Sequence, residues 1–279
     1  EDKGLGKKYL LRGDGTTLYM TQDIYLATLK DKEFDCDRYV FIVASEQNYH
    51  FKVLFEILER IGFGGCEKNY HYAFGMLYDK NGKKYSSRKG NVIEADEFLN
   101  IMQDKALSNL KEKSPDLSPS ELDRRKRIIG YGALAFGILK INAMDNHNFD
   151  MDKALEMTGE TGPYIQYTYA RIRSVLRKAD YKGFDAIDHS ALGDRESALV
   201  KLLKEYQQTV LDASIKYKPS HIANYLIRVC KAYNDFYQNC PILKESEDIK
   251  NARLLLCDAT SKIIADGLSL LDIDVVEEM

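Results

Sequence analysis

A cluster of cations, hydroxyls and a glycine occupies one short stretch of the sequence. It contains Lys83, Lys84, Ser86, Ser87, Arg88, Lys89 and Gly90. Lysine and arginine neutralise phosphate charge, hydroxyls donate hydrogen bonds, and a glycine lets the backbone approach a ligand. The stretch therefore suits a loop that binds a polyphosphate. The alternative, which composition alone favours, is a solvated basic turn between a strand and a helix.

A second group of residues suits a cationic ligand. Tyr19 and Asp23 stand four residues apart near the start of a predicted helix, and Gln47 follows a predicted strand. A carboxylate with a phenol and an amide nearby can hold a guanidinium. The alternatives are that Asp23 is an acid favoured by the helix dipole and that Gln47 merely begins a helix. His50 and His71 lack a second ligand at metal spacing, so we predict no metal site and a structural role for His50.

Aromatic and basic residues alternate along a helix predicted over residues 159–179. One stripe carries Tyr164, Tyr167, Arg171 and Lys178, and another carries Tyr169, Arg173 and Arg177. Bases stack on aromatic rings and phosphates pair with cations, so this pattern suits RNA. The alternative places the tyrosines in the core and the arginines in solvent. A second aromatic group, which includes Tyr237, has the same two interpretations.

The first third of the chain alternates between strand and helix patterns. We predict a hairpin over 8–20, helices over 23–30, 46–61 and 95–109, and strands over 38–44 and 70–78. The continuous apolar run RYVFIVA is typical of a buried parallel strand. Ligands bind beyond the carboxyl ends of such strands, where Gln47 and the basic loop lie. Two parallel strands are few for an independent domain, which indicates that part of the sheet is missing.

The remaining two thirds of the chain are predicted to be helical. A polar linker with two prolines spans 113–119, and the strand patterns stop beyond it. Helices are predicted over 120–139, with Ser118 or Ser120 as the cap, and over 159–179, 190–216, 220–237 and 248–271. The 190–216 segment is either one long helix or a broken pair. Amphipathic helices with short connections predict a helical bundle.

Composition narrows the class of protein. The 279 residues are 44% hydrophobic and 30% charged, with a net charge of −3, so a nucleic-acid surface must be a local patch. No apolar run approaches the roughly 18 residues of a membrane span. The five cysteines are scattered without a CxxC pair, which favours a reduced, cytoplasmic compartment.

Six stretches in order give the chain a specific resemblance to the arginyl-tRNA synthetase family, among the class I aminoacyl-tRNA synthetases. They are GDGTTLYMTQDI, SEQNYHF, HYAFGMLYDKNGKKYSSRKGNV, TGETGPYIQYTYARIRSVLRK, KAYNDFYQNCPIL and ARLLLCDATSKIIADGLSLLDI. The resemblance covers essentially the whole chain. It implies the second part of a class I Rossmann catalytic domain over 1–113 and a helical-bundle, DALR-type anticodon-binding domain over 114–279.

The resemblance also implies roles for particular residues. KYSSRKG is similar to the family's KMSKS loop, in which Arg88 and Lys89, with Ser86 and Ser87, stabilise the charge that develops on the α-phosphate of ATP. Tyr85 and Ser87 depart from that signature. The implied ATP-binding residues are His71, Phe74, Gly75, Met76 and Lys84. Tyr19 and Asp23 are implied to receive the arginine side chain, and Gln47 to hold the amino acid.

In the helical part, the resemblance implies tRNA contacts by Tyr164, Tyr167, Arg171 and Tyr237. The family's DALR stretch appears here as Gly132-Ala133-Leu134-Ala135, without its charged ends. The implied reaction is ATP-dependent ligation of L-arginine to tRNA(Arg), with Mg²⁺ accompanying ATP. We further expect a monomer that does not bind membranes.

One family signature is missing. Class I synthetases carry an HIGH-type motif in the first half of the Rossmann fold, and no H-x-G-H occurs in this sequence. We therefore expect the C-terminal half of a synthetase, which does not form arginyl-adenylate by itself. The alternatives are a tRNA-binding module without catalysis and a structural partner in a multi-synthetase assembly.

Overall fold

The computed structural model describes residues 3–83, 93–183 and 192–279. The chain forms two compact units. The amino-terminal unit contains Glu1–Met76 and Ala143–Asn146, and the helical unit contains Leu77–Asn142 and His147–Met279. No helix among the described residues is long and apolar enough to span a membrane.

The amino-terminal unit is a small α/β layer. Its elements are α1 (Tyr19–Glu33), β1 (Tyr39–Ala44), a 3₁₀ turn (Ser45–Gln47), α2 (Asn48–Arg60) and β2 (Asn69–Phe74). The two strands pair in parallel, from Tyr39 opposite Asn69 to Ala44 opposite Phe74. Phe41 of β1 packs against the rings of Phe51 and Phe55 on α2. The predicted parallel strands and the helix between them are confirmed.

The hairpin predicted over residues 8–20 is confirmed at its turn, where Arg12 N donates to Thr16 O, but its strands are much shorter than predicted. Only one antiparallel bridge, between Leu11 and Thr17, occurs there, and α1 already begins at Tyr19. Asp14 Oδ1 accepts hydrogen bonds from the backbone and hydroxyl of Thr16, at 2.9 and 2.7 Å, and this closes a tight turn. The backbone then enters the helix, with Gln22 N donating to Leu18 O, before a strand ladder can extend.

The strand predicted over 70–78 is two strands in different sheets. β2 ends at Phe74, and β3 (Leu77–Asp79) pairs in parallel with β4 (His147–Phe149) in the helical unit. The expectation that strands stop after residue 119 is therefore wrong. A three-residue strand is too short for its side-chain alternation to stand out from a loop.

The break between β2 and β3 depends on Gly75. Its N–H donates to Ala143 O at 2.7 Å, and Met76 N donates to Asn146 Oδ1 at 2.8 Å. A Cβ atom on Gly75 would lie 2.3 Å from Asp145 O, closer than any van der Waals contact allows. Residues 143–146 thus satisfy the backbone of the break only because residue 75 lacks a side chain.

The helical unit consists mainly of eight described helices. They are α3 (Ala95–Lys113), α4 (Pro119–Leu139), α5 (Met151–Ala154), α6 (Gly162–Lys178), α7 (Asp194–Lys204), α8 (Tyr206–Lys216), α9 (Pro219–Asn239) and α10 (Glu247–Ser269). The described part of the segment predicted over 190–216 is a broken pair of helices that divides at Glu205. Ser118 is the cap of α4: its hydroxyl accepts from Glu121 N at 3.3 Å.

α6 and α9 form the centre of the core in the helical unit. Ile165 and Ile172 on α6, and Tyr225, Leu226 and Tyr233 on α9, are at most 1% exposed. α10 adds a third buried face to the same cluster. Burial of this apolar area is the main favourable term for helices of this length, because isolated helices are marginal in water.

The carboxyl-terminal segment closes over α6. Glu277 accepts hydrogen bonds from Tyr169 Oη at 2.8 Å and from Arg173 Nε at 3.0 Å, and Arg177 also contacts it. Burial, together with the Glu277 carboxylate, raises the pKa of Tyr169 to about 12. The Tyr169–Arg173–Arg177 stripe is therefore occupied by this acidic segment.

A carboxylate at the start of α4 holds two arginines. Glu121 accepts from Arg124 Nη2 at 2.8 Å and from Arg125 Nε at 2.6 Å, and Arg125 is buried. These hydrogen bonds lower the pKa of Glu121 from 4.5 to about 2. Since the folded pKa lies below the ordinary value, this contribution to stability is complete above about pH 4.5 and disappears as the pH falls toward 2.

We predict that Glu121→Gln lowers the melting temperature of the chain at neutral pH. The difference in melting temperature between the unmodified chain and the variant should become smaller as the pH falls from 4.5 to 2, because Glu121 becomes protonated in this range. Far-UV circular dichroism melts over this range measure it. Asp123→Asn is the control, because its ion pair with Arg127 on the same helix is half-exposed. A gap that does not change with pH would contradict the prediction.

We predict that Gly75→Ala destabilises the amino-terminal unit by about 1–3 kcal/mol, the usual cost of forcing an atom into an occupied position. This cost is measured from the hydrogen exchange of backbone amides in β1 and β2, monitored at increasing denaturant concentration. Gly13→Ala is the matched control, since a Cβ atom there meets nothing within 4 Å. Equal stability of the two variants would rule out the role given to Gly75.

Candidate substrate and nucleic-acid sites

The carboxyl ends of β1 and β2 place several predicted site residues at one edge of the amino-terminal unit. Because the strands are parallel and end in register at Ala44 and Phe74, the segments after them leave the sheet at the same edge. Gln47 ends the 3₁₀ turn after β1 and is exposed. Phe74, 41% exposed, closes β2, and Gly75 and Met76 follow it.

Asp23 is joined to the residues after β1 by a histidine. His50 Nε2 lies 2.7 Å from Asp23 Oδ2, which links α1 to the first turn of α2, three residues after Gln47. The Asp23 side chain is 40% exposed. Within the described part of the chain, its Oδ1 atom has no hydrogen-bond partner. The carboxylate therefore keeps one oxygen for a ligand.

Tyr19 stands one helical turn before Asp23 and is 79% exposed. A phenol oxygen and a free carboxylate oxygen on one side of α1 can both accept hydrogen bonds from a cationic, planar group. Sequence reasoning found this pair but gave His50 only a structural role. The spacing of His50 from Gln47, one turn of helix, is the signal that could have connected it to the pair.

His71 lies apart from the other residues predicted to bind ATP. Its ring stacks on Phe51, with centroids 4.2 Å apart, and its Nε2 atom lies 2.9 Å from Val43 O. It therefore faces α2, whereas the alternation of the strand turns Phe74 to the opposite face. The ATP role of these residues stays a prediction. Lys84, Ser86, Ser87, Arg88 and Lys89 lie outside the described residues.

The four residues predicted to bind tRNA come together in the helical unit. Arg171 Nη2 donates to Tyr167 Oη at 2.8 Å, and its guanidinium carbon lies 4.7 Å from the Tyr167 ring centroid and 5.4 Å from that of Tyr237. Asn234 connects the set, since it accepts from Arg171 at 3.3 Å and donates to Tyr164 Oη at 2.8 Å. Sequence reasoning missed Asn234, which lies one turn before Tyr237 on α9.

This cluster borders a cavity of about 500 Å³. Tyr167, Arg171, Lys178 and Tyr237 line it, together with the carboxyl-terminal Glu278 and Met279. Tyr167 is half-buried and Tyr237 is 37% exposed, whereas Tyr233 is fully buried. The tyrosines of α6 and α9 thus divide into core residues and residues that face the cavity. The cavity therefore presents both aromatic rings, from Tyr167 and Tyr237, and cations, from Arg171 and Lys178, as a nucleic-acid site requires.

Comparison with known proteins gives matches to both parts of the chain. A family model described as the catalytic domain of class I (R) tRNA synthetases matches residues 3–151. A second, described as the DALR anticodon binding domain, matches residues 165–279. Neither range ends at residue 113, and the domain boundary predicted there stays a prediction.

Curated relatives are similar over the whole length of this chain. Arginine–tRNA ligases from Parabacteroides distasonis and Bacteroides fragilis are 38% and 40% identical to 99% of it. The chain spans 47% of each of these relatives, about half their length.

A solved structure, Thermus thermophilus arginyl-tRNA synthetase, superposes with a TM-score of 0.87 at 25% identity. The superposition covers 97% of this chain and 50% of that one. The fold expected from the sequence, part of a class I catalytic domain followed by a helical anticodon-binding domain, is confirmed. Because the catalytic-domain model alone matches more than half of its residues, the chain belongs to the arginyl-tRNA synthetase family of class I tRNA synthetases.

Proposed function

We propose that this chain is the part of an arginine–tRNA ligase that recognises arginine and the anticodon region of tRNA(Arg). The parent reaction is ATP-dependent activation of L-arginine and its transfer to tRNA(Arg). The observation that carries the proposal is Asp23, which presents a free carboxylate oxygen beside Tyr19 within the stretch matched by the class I (R) catalytic domain.

Arginine recognition follows from the pairing of a guanidinium with a carboxylate. Asp23 Oδ1 accepts from the guanidinium, while His50 holds Oδ2 at 2.7 Å and so fixes the orientation of the carboxylate. The exposed phenol of Tyr19 provides a second polar contact, and Gln47 holds the amino-acid part. An analogue without the guanidinium leaves the carboxylate unpaired, which is the basis of strong rejection.

Activation of arginine requires stabilisation of negative charge at the α-phosphate of ATP. Arg88 and Lys89 supply the cations, and Ser86 and Ser87 the hydroxyls, in the basic loop. Phe74, Gly75 and Met76, at the end of β2, lie against the adenine of ATP. His71 and Lys84 make further contacts with ATP. Mg²⁺ enters as the counter-ion of the substrate ATP.

The helical unit supplies the tRNA contacts. Bases stack on the rings of Tyr167 and Tyr237, and Arg171 and Lys178 pair with phosphates along the cavity. Tyr164 sets the position of Arg171 through Asn234. We also propose a monomeric, cytoplasmic protein; all five cysteines are free thiols, as in a reducing compartment.

We predict that the isolated chain gives arginine-dependent ATP–pyrophosphate exchange no higher than background. The HIGH-type motif that completes the class I site is not in the sequence. The intact Bacteroides fragilis ligase is the positive control for the assay. Exchange by this chain at a rate near that of the intact ligase would refute the prediction.

We predict that Arg171→Ala weakens tRNA(Arg) binding roughly tenfold, within the 1–3 kcal/mol typical of such contacts, and lowers the salt slope by about 1. Fluorescence anisotropy at several salt concentrations measures both quantities. Arg228→Ala is the matched control, because Arg228 is exposed and pairs with Glu205 outside the cluster. Equal weakening by the two variants would contradict the assignment.

A non-catalytic tRNA-binding module is the second candidate. It is favoured by the Tyr–Arg cluster of the helical unit, which consists of Tyr164, Tyr167, Arg171 and Tyr237. Asp23→Ala separates the two functions. It should leave tRNA affinity unchanged in either case. If the chain is part of a complete arginine–tRNA ligase, Asp23→Ala abolishes arginine activation by that ligase. A module without catalysis has no arginine activation, so the substitution changes nothing that can be measured.

A further inference from the structure

A buried ion pair joins α7 to α10 in the helical unit. Arg253 Nε and Nη2 lie 2.9 and 2.8 Å from Glu196 Oε1. The Glu196 side chain is 3% exposed and that of Arg253 is 12% exposed. Apolar side chains of similar volume often stabilise such a position at least as well as a buried ion pair does. The pair therefore indicates a role other than stability, although neither residue lines the candidate tRNA cavity.

The same guanidinium holds the connection between α9 and α10. Its Nη1 atom donates a hydrogen bond to Pro241 O and lies 3.5 Å from Glu245 Oε1. Its Nε and Nη2 atoms are already engaged by Glu196, so the planar group contacts α7 with one edge and residues 241–245 with another. We call these contacts of Arg253 the clamp. The clamp fixes the path of the chain between the two helices.

The connection held by the clamp borders the candidate tRNA cavity. Leu243, in the middle of this connection, lines the cavity and is 41% exposed. Tyr237, in the last turn of α9, also lines it. We call these two residues the α9 wall. Tyr167 and Arg171 of α6 line the same cavity, so its shape depends on where the connection places the α9 wall.

A second attachment, from α7 to α9, is weaker. Arg195 Nε donates to Asp235 Oδ2 at 3.0 Å, and Asn239 Nδ2 donates to Asp235 Oδ1, also at 3.0 Å. Because a helix turns by about 100° per residue, Asp235 points away from Tyr237, two residues later, and this pair holds α9 from the side opposite the cavity. Both charged side chains are more than half exposed, and exposed ion pairs contribute little. The buried clamp is therefore the principal attachment of the α9 wall.

We propose that Arg253 is a positioning residue for tRNA binding, which acts by holding the α9 wall in place through Pro241 and Glu245. A wall that is already in place does not have to be ordered when RNA binds, and such ordering otherwise costs affinity. The inference rests on the proposed function for the identity of the ligand. It deepens that function by adding a residue that the tRNA does not contact.

A tryptophan reporter tests whether the clamp holds the α9 wall. The chain contains no tryptophan, so Leu243→Trp introduces a single indole fluorophore at the cavity. Arg253→Lys is the test substitution, because lysine retains a charge for Glu196 but lacks the planar fork that also reaches Pro241. Without RNA, Arg253→Lys should shift the tryptophan emission to longer wavelength and lower its anisotropy, since a released wall is more hydrated and more mobile.

Affinity for tRNA(Arg) is measured in the chain that retains Leu243, by fluorescence anisotropy of labelled tRNA. Arg253→Lys should weaken binding roughly tenfold, because the two side chains of the α9 wall must then be ordered on binding. The salt slope should stay unchanged, since no phosphate contact is removed. Loss of a direct phosphate contact, as expected for Arg171→Ala, instead lowers that slope by about 1.

Two further variants separate positioning from stability. Ile264→Val shortens a fully buried side chain of α10 in the apolar core, which lowers the denaturant midpoint but leaves the clamp intact. It should change neither the emission nor the tRNA affinity. Glu245→Ala releases the connection without disturbing the pair of Arg253 with Glu196, and should give a smaller effect in the same direction as Arg253→Lys. Circular dichroism establishes that each variant folds, and Glu245→Ala carries the test if Arg253→Lys does not.

Three results would overturn the proposal. The first is unchanged emission and unchanged tRNA affinity in both Arg253→Lys and Glu245→Ala. The second is an equal loss of affinity in Ile264→Val, and the third is a salt slope that falls with Arg253→Lys, which would mean that Arg253 contacts phosphate directly. Failure of the unmodified chain to bind tRNA(Arg) counts against the proposed function instead. The emission is measured without RNA, so it still decides whether Arg253 positions the α9 wall.

Discussion

The apolar core shared by α6, α9 and α10 is the interaction on which the helical unit depends. All three helices bury their large side chains in one cluster, so their relative position is fixed by shape. That position in turn sets the polar contacts at the rim. Asn234 on α9 bridges Tyr164 and Arg171 on α6, which holds the guanidinium against the Tyr167 and Tyr237 rings. The candidate tRNA cluster is thus a consequence of core packing.

The arginines of the helical unit divide into two groups according to their partners. Arg125, Arg173 and Arg177 pair with carboxylates of α4 and the carboxyl-terminal segment. Arg171, in contrast, is held by neutral groups, a phenol and an amide. An arginine that is positioned but not neutralised retains its charge for an anionic ligand, and this distinguishes the candidate contact from the structural ion pairs.

The amino-terminal unit depends on a different constraint, the parallel pairing of β1 with β2. The pairing brings the ends of both strands to one edge, and His50 ties Asp23 to the segment that follows β1.

The sequence by itself determined the order and type of the long elements. Apolar periodicity identified α2, α6 and α9, the run RYVFIVA identified β1, and six ordered stretches pointed to the family. These signals are local, because residues within one helix or strand report its buried face directly. Helical spacing also predicts that Tyr164, Tyr167 and Arg171 lie near one another, whereas the assignment of Tyr237 to the same site came from the family resemblance.

Only the tertiary structure decided the features that depend on distant partners. β3 exists as a strand because β4, almost 70 residues later, pairs with it. His50 joins the candidate arginine site because Asp23 lies beside it, and Asn234 becomes the link in the Tyr–Arg cluster because α9 packs on α6. Gly75 is needed because the backbone at Asp145 passes beside it. Each contact joins segments whose separation in sequence is large, and such proximity leaves no periodic signal in either segment alone.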